Sequence, residues 1–166
     1  MFDVKQKIKN FISEHKSTIS DNDQQFLNRT LKVENPFSYF YITAKVHKTP
    51  WKARPIVSQC GSTLDGLARW LTQQLKPLSQ KMPSYLSSSK KLKTDLEELS
   101  LDPNTRYQIF TADARAMYTN ISTTHALDYI SWFLRTSPMC KDMPIEAIID
   151  GLTLLMEHNV FKFGNT

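Results

Sequence analysis

The sequence predicts an α+β domain, and three observations point there. Apolar residues recur at helical spacing in successive stretches of the chain. Two β-prone runs flank a basic, proline-containing link at residues 47–52. A third β-prone run, Tyr107 to Thr111, is rich in aromatic and β-branched residues and reads as a buried strand that delivers Asp113 at its end. With 166 residues, 40% of them apolar and 22% charged, the chain is long enough for one domain with a real core.

The elements follow in order. Residues 1–34 read as a helical lead-in: Val4, Ile8, Phe11 and Ile12 share a helical face, and Phe26 and Leu27 mark a second helix. Ser20-Asp21-Asn22-Asp23 is turn-like and suited to cap that second helix. Tyr39 to Val46 and Ala53 to Ser58 then form the arms of a β-hairpin. Pro55 cannot donate to a ladder, which confines its arm to a sheet edge or demands a bulge. Ser62 with Asp65 has the spacing of a capping box. Leu64, Leu67, Ala68, Leu71 and Leu75 continue as an amphipathic helix that Pro77 is expected to terminate.

Residues 81–93 are rich in serine and lysine. Their serines can cap a helix through Leu92, Leu96 and Leu99, or the run can serve as a flexible linker. Leu101 to Thr105 is a turn. Beyond Asp113, Ser122 or Thr123 caps a helix carrying Ala126, Leu127, Ile130, Phe133 and Leu134, which Ser137-Pro138 breaks. Another helix starts near Pro144, carries Ile145, Ile148, Ile149, Leu152, Leu155 and Met156, and closes at His158-Asn159. Val160 to Phe163 opens a strand, with Gly164-Asn165 as a hairpin turn after it.

Charge is segregated along the chain. From Arg29 to Lys93 there are twelve basic residues against two acidic ones, Glu34 and Asp65; from Thr94 onward there are five basic and ten acidic. The basic block is the part suited to neutralise phosphates, although a solvated basic face gives the same composition. No apolar run approaches the roughly twenty residues that a membrane span needs, and the stretch from Met1 to Lys5 lacks a signal peptide's apolar core. Cys60 and Cys140 are too few for a disulfide framework and are expected as reduced thiols. The expected setting is intracellular, in nucleus or cytoplasm, with no membrane partner. Four scattered histidines give no zinc-ligand spacing.

Two motifs, in order, resemble the reverse transcriptases, specifically the Penelope-like retroelement branch. The first comprises Lys45-Val46-His47-Lys48-Thr49-Pro50 followed by Arg54-Pro55-Ile56-Val57-Ser58. It is similar to the fingers hairpin of that family, although Ile42-Thr43-Ala44 stands where the family usually has Gly-Leu-Pro. The second is the Asp113 stretch, with Tyr118-Thr119-Asn120-Ile121 five residues on, and it resembles the first catalytic motif of the palm. Taken alone, a strand-end aspartate more often caps a turn than binds a metal, and Tyr118 alone reads as a core aromatic; the combination is what carries the likeness.

The resemblance spans roughly residues 36–163 and implies a partial right-hand polymerase: a fingers hairpin, helices and the first palm strand, within a unit from 35 to 166. It implies that Asp113 is the catalytic metal ligand, joined by the backbone carbonyl of Ala114. Arg54, supported by Lys45 and Lys48, would hold the incoming triphosphate, and Tyr118 would pack beneath its sugar. Arg115 would face the nucleotide or pair with a neighbouring acid. The implied cofactor is Mg2+ or Mn2+. The implied partners are an RNA template, a DNA primer and deoxynucleoside triphosphates.

Two-ion phosphoryl transfer needs at least two carboxylates holding ions about 4 Å apart. The other acids (Asp95, Glu97, Glu98, Asp128, Asp142, Glu146, Asp150 and Glu157) fall on helical surfaces, and none completes the pair. The expectation is therefore a polymerase portion that does not polymerise by itself. The alternative is a non-catalytic, basic nucleic-acid-binding relic of a retroelement. A third possibility is an inert chain whose incomplete sheet exposes the Val160–Phe163 edge.

Overall fold

Helix α1, Phe2–Glu14, and helix α2, Asp21–Thr30, form the start of the chain. The computed structural model describes residues 2–33, 36–114 and 117–163, with the backbone alone for Phe2, Tyr118 and Thr119. Ser20 caps α2 as its sequence predicts: its side chain accepts a hydrogen bond from the Asp23 amide. Strands β1, Ser38–Lys45, and β2, Lys52–Ser58, follow as an antiparallel hairpin, and then helix α3, Asp65–Lys81. Helix α4 is Ser89–Glu97, α5 is the single turn Met117–Asn120, α6 is Thr123–Thr136 and α7 is Ile145–Glu157. A short strand, β3, Phe161–Lys162, runs parallel to β1, and the sheet order is β2-β1-β3. The architecture is mixed α+β.

The core lies among the helices. Trp70, Leu67 and Leu71 of α3 meet Ile8, Phe11 and Ile12 of α1, Leu27 of α2, and Ile148 and Leu152 of α7. Trp70 is fully buried, with the Phe11 ring edge-on at 5.8 Å. α1 and α2 thus share one core with α3 and α7. Gly66 at the first turn of α3 lets α2 approach closely: a Cβ there would lie 2.4 Å from the Cβ of Thr30.

Several local expectations hold. Pro55 sits opposite Ile42 in β2, and β2 is an edge strand. Ser88 caps α4 through the Lys91 amide, and Ser122 caps α6 through the His125 amide. Asp102 folds the 101–105 turn: its carboxylate accepts from the Asn104 amide and the Thr105 hydroxyl, bonds that hold its pKa below the usual aspartate range.

Four expectations are corrected. Tyr107 to Thr111 is not a strand: residues 106–114 form no regular structure, and Ile109 and Phe110 are 87% and 84% exposed. High β-propensity makes a strand only where a neighbour takes up the backbone N–H and C=O groups, and none of the described residues does so here. Pro77 lies inside α3 rather than ending it. It sits on the exposed side near the last turn, where the Gln73 carbonyl can turn to water, and burial of Leu78 holds the following turn.

The Ser62–Asp65 capping box is not formed. The α3 cap position is Leu64, and Asp65 instead accepts from the Gly61 amide and from Arg69. Gly61 takes a positive φ of 73°, which turns its N–H toward that carboxylate. Finally, α4 ends at Glu97, short of Leu99, and Leu92, Leu96 and Leu99 are exposed rather than packed. The expected turn at Gly164-Asn165 lies outside the described residues.

Candidate nucleic-acid interface

The hairpin positions its cations by simple alternation. Tyr39, Tyr41, Thr43 and Lys45 fall on one face of β1, and their partners Ser58, Ile56, Arg54 and Lys52 share that face. Thr43 stands opposite Arg54, and Lys45 opposite Lys52. The rings of Tyr39 and Tyr41 stack on it at 5.8 Å. On the opposite face Phe40 packs against Phe161 at 5.8 Å and Phe163 at 5.3 Å, which roots the hairpin on β3.

At the tip, the Lys48 amide donates to the Lys45 carbonyl, Thr49-Pro50 is a cis peptide, and Trp51 is 74% exposed. The side chains of Lys45, Lys48, Lys52 and Arg54 make no hydrogen bond or ion pair with any described residue. Lys45 directly opposite Lys52 places like charges across a ladder, an arrangement that disfavours the hairpin until an anion offsets it. The nearest acid in sequence, Asp65, is already bound to Arg69 at 2.9 Å, and that contact raises the Arg69 pKa above its ordinary value. Glu34 lies outside the described residues.

The second motif is placed differently. Asp113 and Ala114 are exposed in the irregular 106–114 segment, and Asp113 has no hydrogen-bond or ion-pair partner among the described residues. No hydrogen bond or ion pair joins Asp113 to Lys45, Lys48 or Arg54. Arg115 lies outside the described residues; Tyr118 has its backbone in α5, while its side chain lies outside them. Among the described residues no group of three or more His, Cys, Asp or Glu side chains is placed to hold a metal ion. Asp113 with the Ala114 carbonyl supplies hard oxygen ligands, but one carboxylate does not fit a pair of divalent ions, so these residues by themselves do not make the two-ion site.

Three features of the face were not singled out from the sequence: the Tyr39–Tyr41 stack, Lys52, and their union with Arg54. The signal was present as i, i+2 alternation through Tyr39, Tyr41, Thr43 and Lys45. The register that sets Lys52 and Arg54 beside them is a property of the folded hairpin. Both cysteines are free, Cys60 exposed and Cys140 buried, and among the described residues no helix is long and apolar enough to cross a membrane. No protein-family model, curated protein or solved structure matches the chain.

Proposed function

We propose that the chain is the fingers and first palm portion of a reverse transcriptase of the Penelope-like type. In this reading the hairpin closes on nucleotide phosphates and Asp113 contributes one half of an ion site whose other carboxylates lie outside these 166 residues. The hairpin carries the proposal: four cations project from one short antiparallel unit, none neutralised by a described residue. A guanidinium fork at Arg54 matches phosphate oxygens two at a time, and Lys45 and Lys48 add point charges beside it. The exposure of Asp113 is compatible with a ligand that awaits its ion and its neighbours. Tyr118 and Arg115 take the sugar and nucleotide roles that the motif assigns them. Magnesium or manganese would supply charge neutralisation at the transferring phosphoryl group.

The Tyr39–Tyr41 stack beside the same cations favours a second reading, a non-catalytic module that holds nucleic acid by backbone charge and base stacking.

Binding of an RNA–DNA template–primer, followed by fluorescence anisotropy across a salt series, tests the shared element. Replacing Lys45, Lys48 and Arg54 by alanine should weaken binding by about tenfold or more at 0.15 M salt and lower the salt slope by about two to three. Unchanged affinity and slope would remove the hairpin from both readings. Asp113→Asn separates them: it abolishes magnesium-dependent nucleotide binding if the polymerase reading is right, and leaves or improves nucleic-acid affinity if the module reading is. Primer extension by these residues alone is expected to be absent.

A further inference from the structure

Helix α4 stands apart from the core: none of its residues is buried, and it makes no extensive packing contact with another described element. Leu92, Leu96 and, just past the helix end, Leu99 are 43%, 55% and 56% exposed. Their spacing of four and then three residues sets them in one stripe, the pattern of a helix-to-helix seam. So short a helix is marginal in water when no face of it is packed.

Its charges make the lone helix worse. Lys90, Lys91 and Lys93 occupy the N-terminal half, and Asp95, Glu97 and Glu98 the C-terminal end. No acid stands in the first turn and no base in the last, so the side-chain charges oppose the helix dipole at both ends. Lys91 pairs with Asp95, and Lys93 with Glu97 at 3.6 Å. Both pairs run lysine first, the less favourable order four residues apart, and both are exposed.

The same pattern suits an antiparallel pair. Around Thr94 the residues read Lys90-Lys91-Leu92-Lys93-Thr94-Asp95-Leu96-Glu97-Glu98. Each lysine is mirrored by an acid at the same distance beyond Thr94, and Leu92 by Leu96. A second α4 laid antiparallel, crossing at the level of Thr94, sets leucine level with leucine and the basic half of each helix against the acidic half of the other. On one flank of the seam, Glu97 of either copy comes between Lys90 and Lys93 of the other; on the opposite flank, Glu98 comes beside Lys91. Lys93 and Asp95, nearest the crossing, keep their partners within their own helix. Each acidic end also lies at the other helix's N-terminus, where it offsets the dipole. A parallel pair would set lysines against lysines.

We propose that α4 is a homodimerisation element whose leucine stripe takes the α4 of a second copy of this chain, antiparallel. The seam is short, so the dimer is reversible, with a Kd on the order of 10–100 µM. None of these residues belongs to the cationic hairpin face or the Asp113 segment, and the proposal stands or falls apart from the polymerase reading.

Sedimentation equilibrium of the whole chain from about 1 µM to about 1 mM tests it, in reducing buffer so that the exposed Cys60 forms no cross-link. A monomer–dimer equilibrium is the expected result. A monomer at every concentration, or association that continues past two copies, overturns it. Two charge variants assign the surface: Lys90→Glu with Lys91→Glu and Lys93→Glu makes the helix acidic throughout, and Asp95→Lys with Glu97→Lys and Glu98→Lys makes it basic throughout. Each variant alone should show a Kd raised by about tenfold or more, whereas their mixture should pair at least as tightly as the unaltered chain. Self-association of either variant at the original strength, or a mixture that does not pair, overturns the proposal. Leu96→Ala, which leaves every charge in place, should also raise the Kd by about tenfold, and an unchanged Kd would place the contact elsewhere. Because α4 buries nothing in the core, all three variants should keep the Tm of the unaltered monomer.

Discussion

Trp70 is the largest fully buried side chain, and its indole N–H has no partner among the described residues. Its contribution is therefore packing rather than polar bonding, with the Phe11 ring at 5.8 Å as one wall. Trp70→Ala should cost about 3–5 kcal/mol, the range for emptying a buried aromatic site. Trp70→Phe should cost less than about 2 kcal/mol, because it keeps a ring and removes an unpaired donor. Urea unfolding of the two variants checks the order; a Phe variant as unstable as the Ala variant would mean that the indole N–H is bonded after all.

Surface polar contacts work at the same scale but carry less. Arg135 grips Glu146 with two bonds of 2.9 and 2.8 Å, joining α6 to α7, and that pairing holds the Glu146 pKa below the usual glutamate range. A depressed carboxylate pKa stabilises the fold above the unfolded value of about 4.3 and loses that contribution as pH falls through the folded one. Both partners are exposed, so solvent and salt screen the effect.

Among the elements, the α2–α3 contact is set by one missing side chain. Gly66→Ala would drive a Cβ to 1.8 Å from Thr30 Oγ1 and 2.4 Å from Thr30 Cβ, so one helix must shift. The gain in helix propensity, about 1 kcal/mol, is smaller than the overpacking cost of about 1–3 kcal/mol, and the variant should be destabilised. Because the clash includes Thr30 Cβ, Thr30→Ala should rescue little and Thr30→Gly more. Thermal unfolding of the three combinations measures this, and equal rescue by both would show that the helices separate rather than collide. The hairpin is the opposite kind of element, with a rooted apolar face through Phe40 and a cationic face left without neutralising partners.

For the molecule as a whole, order is concentrated in the helical core and thins toward residues 98–114. Leu99, Ile109 and Phe110 are exposed there, as are Leu92 and Leu96 of the preceding α4. No backbone amide of residues 106–114 donates to a described residue, so these amides should exchange with solvent at close to unprotected rates. Core amides of α3 and α7 should exchange only on global unfolding. Hydrogen exchange read by mass spectrometry distinguishes the two, and core-like protection of 107–112 would contradict the irregular, exposed segment. Under the proposed function, strands supplied from outside these residues would pair with this segment and bring its protection up.

What the residues determined by themselves is what acts within a few positions of chain. Ser20, Ser88 and Ser122 each cap the next helix because a side-chain oxygen reaches an amide three residues on. Pro55 marked its own strand as an edge because it lacks a donor. The α+β class and the basic hairpin follow from such rules. Tertiary structure decided the rest. Pro77 is tolerated because Leu78 is buried beyond it, and the Ser62–Asp65 box does not form because Asp65 bonds Gly61 and Arg69 instead. His158, just past α7, meets Lys7 of α1 at 2.7 Å across 151 positions of chain. The run before Asp113 has a strand's composition but not its structure, since a strand is completed by its neighbour and propensity alone provides none.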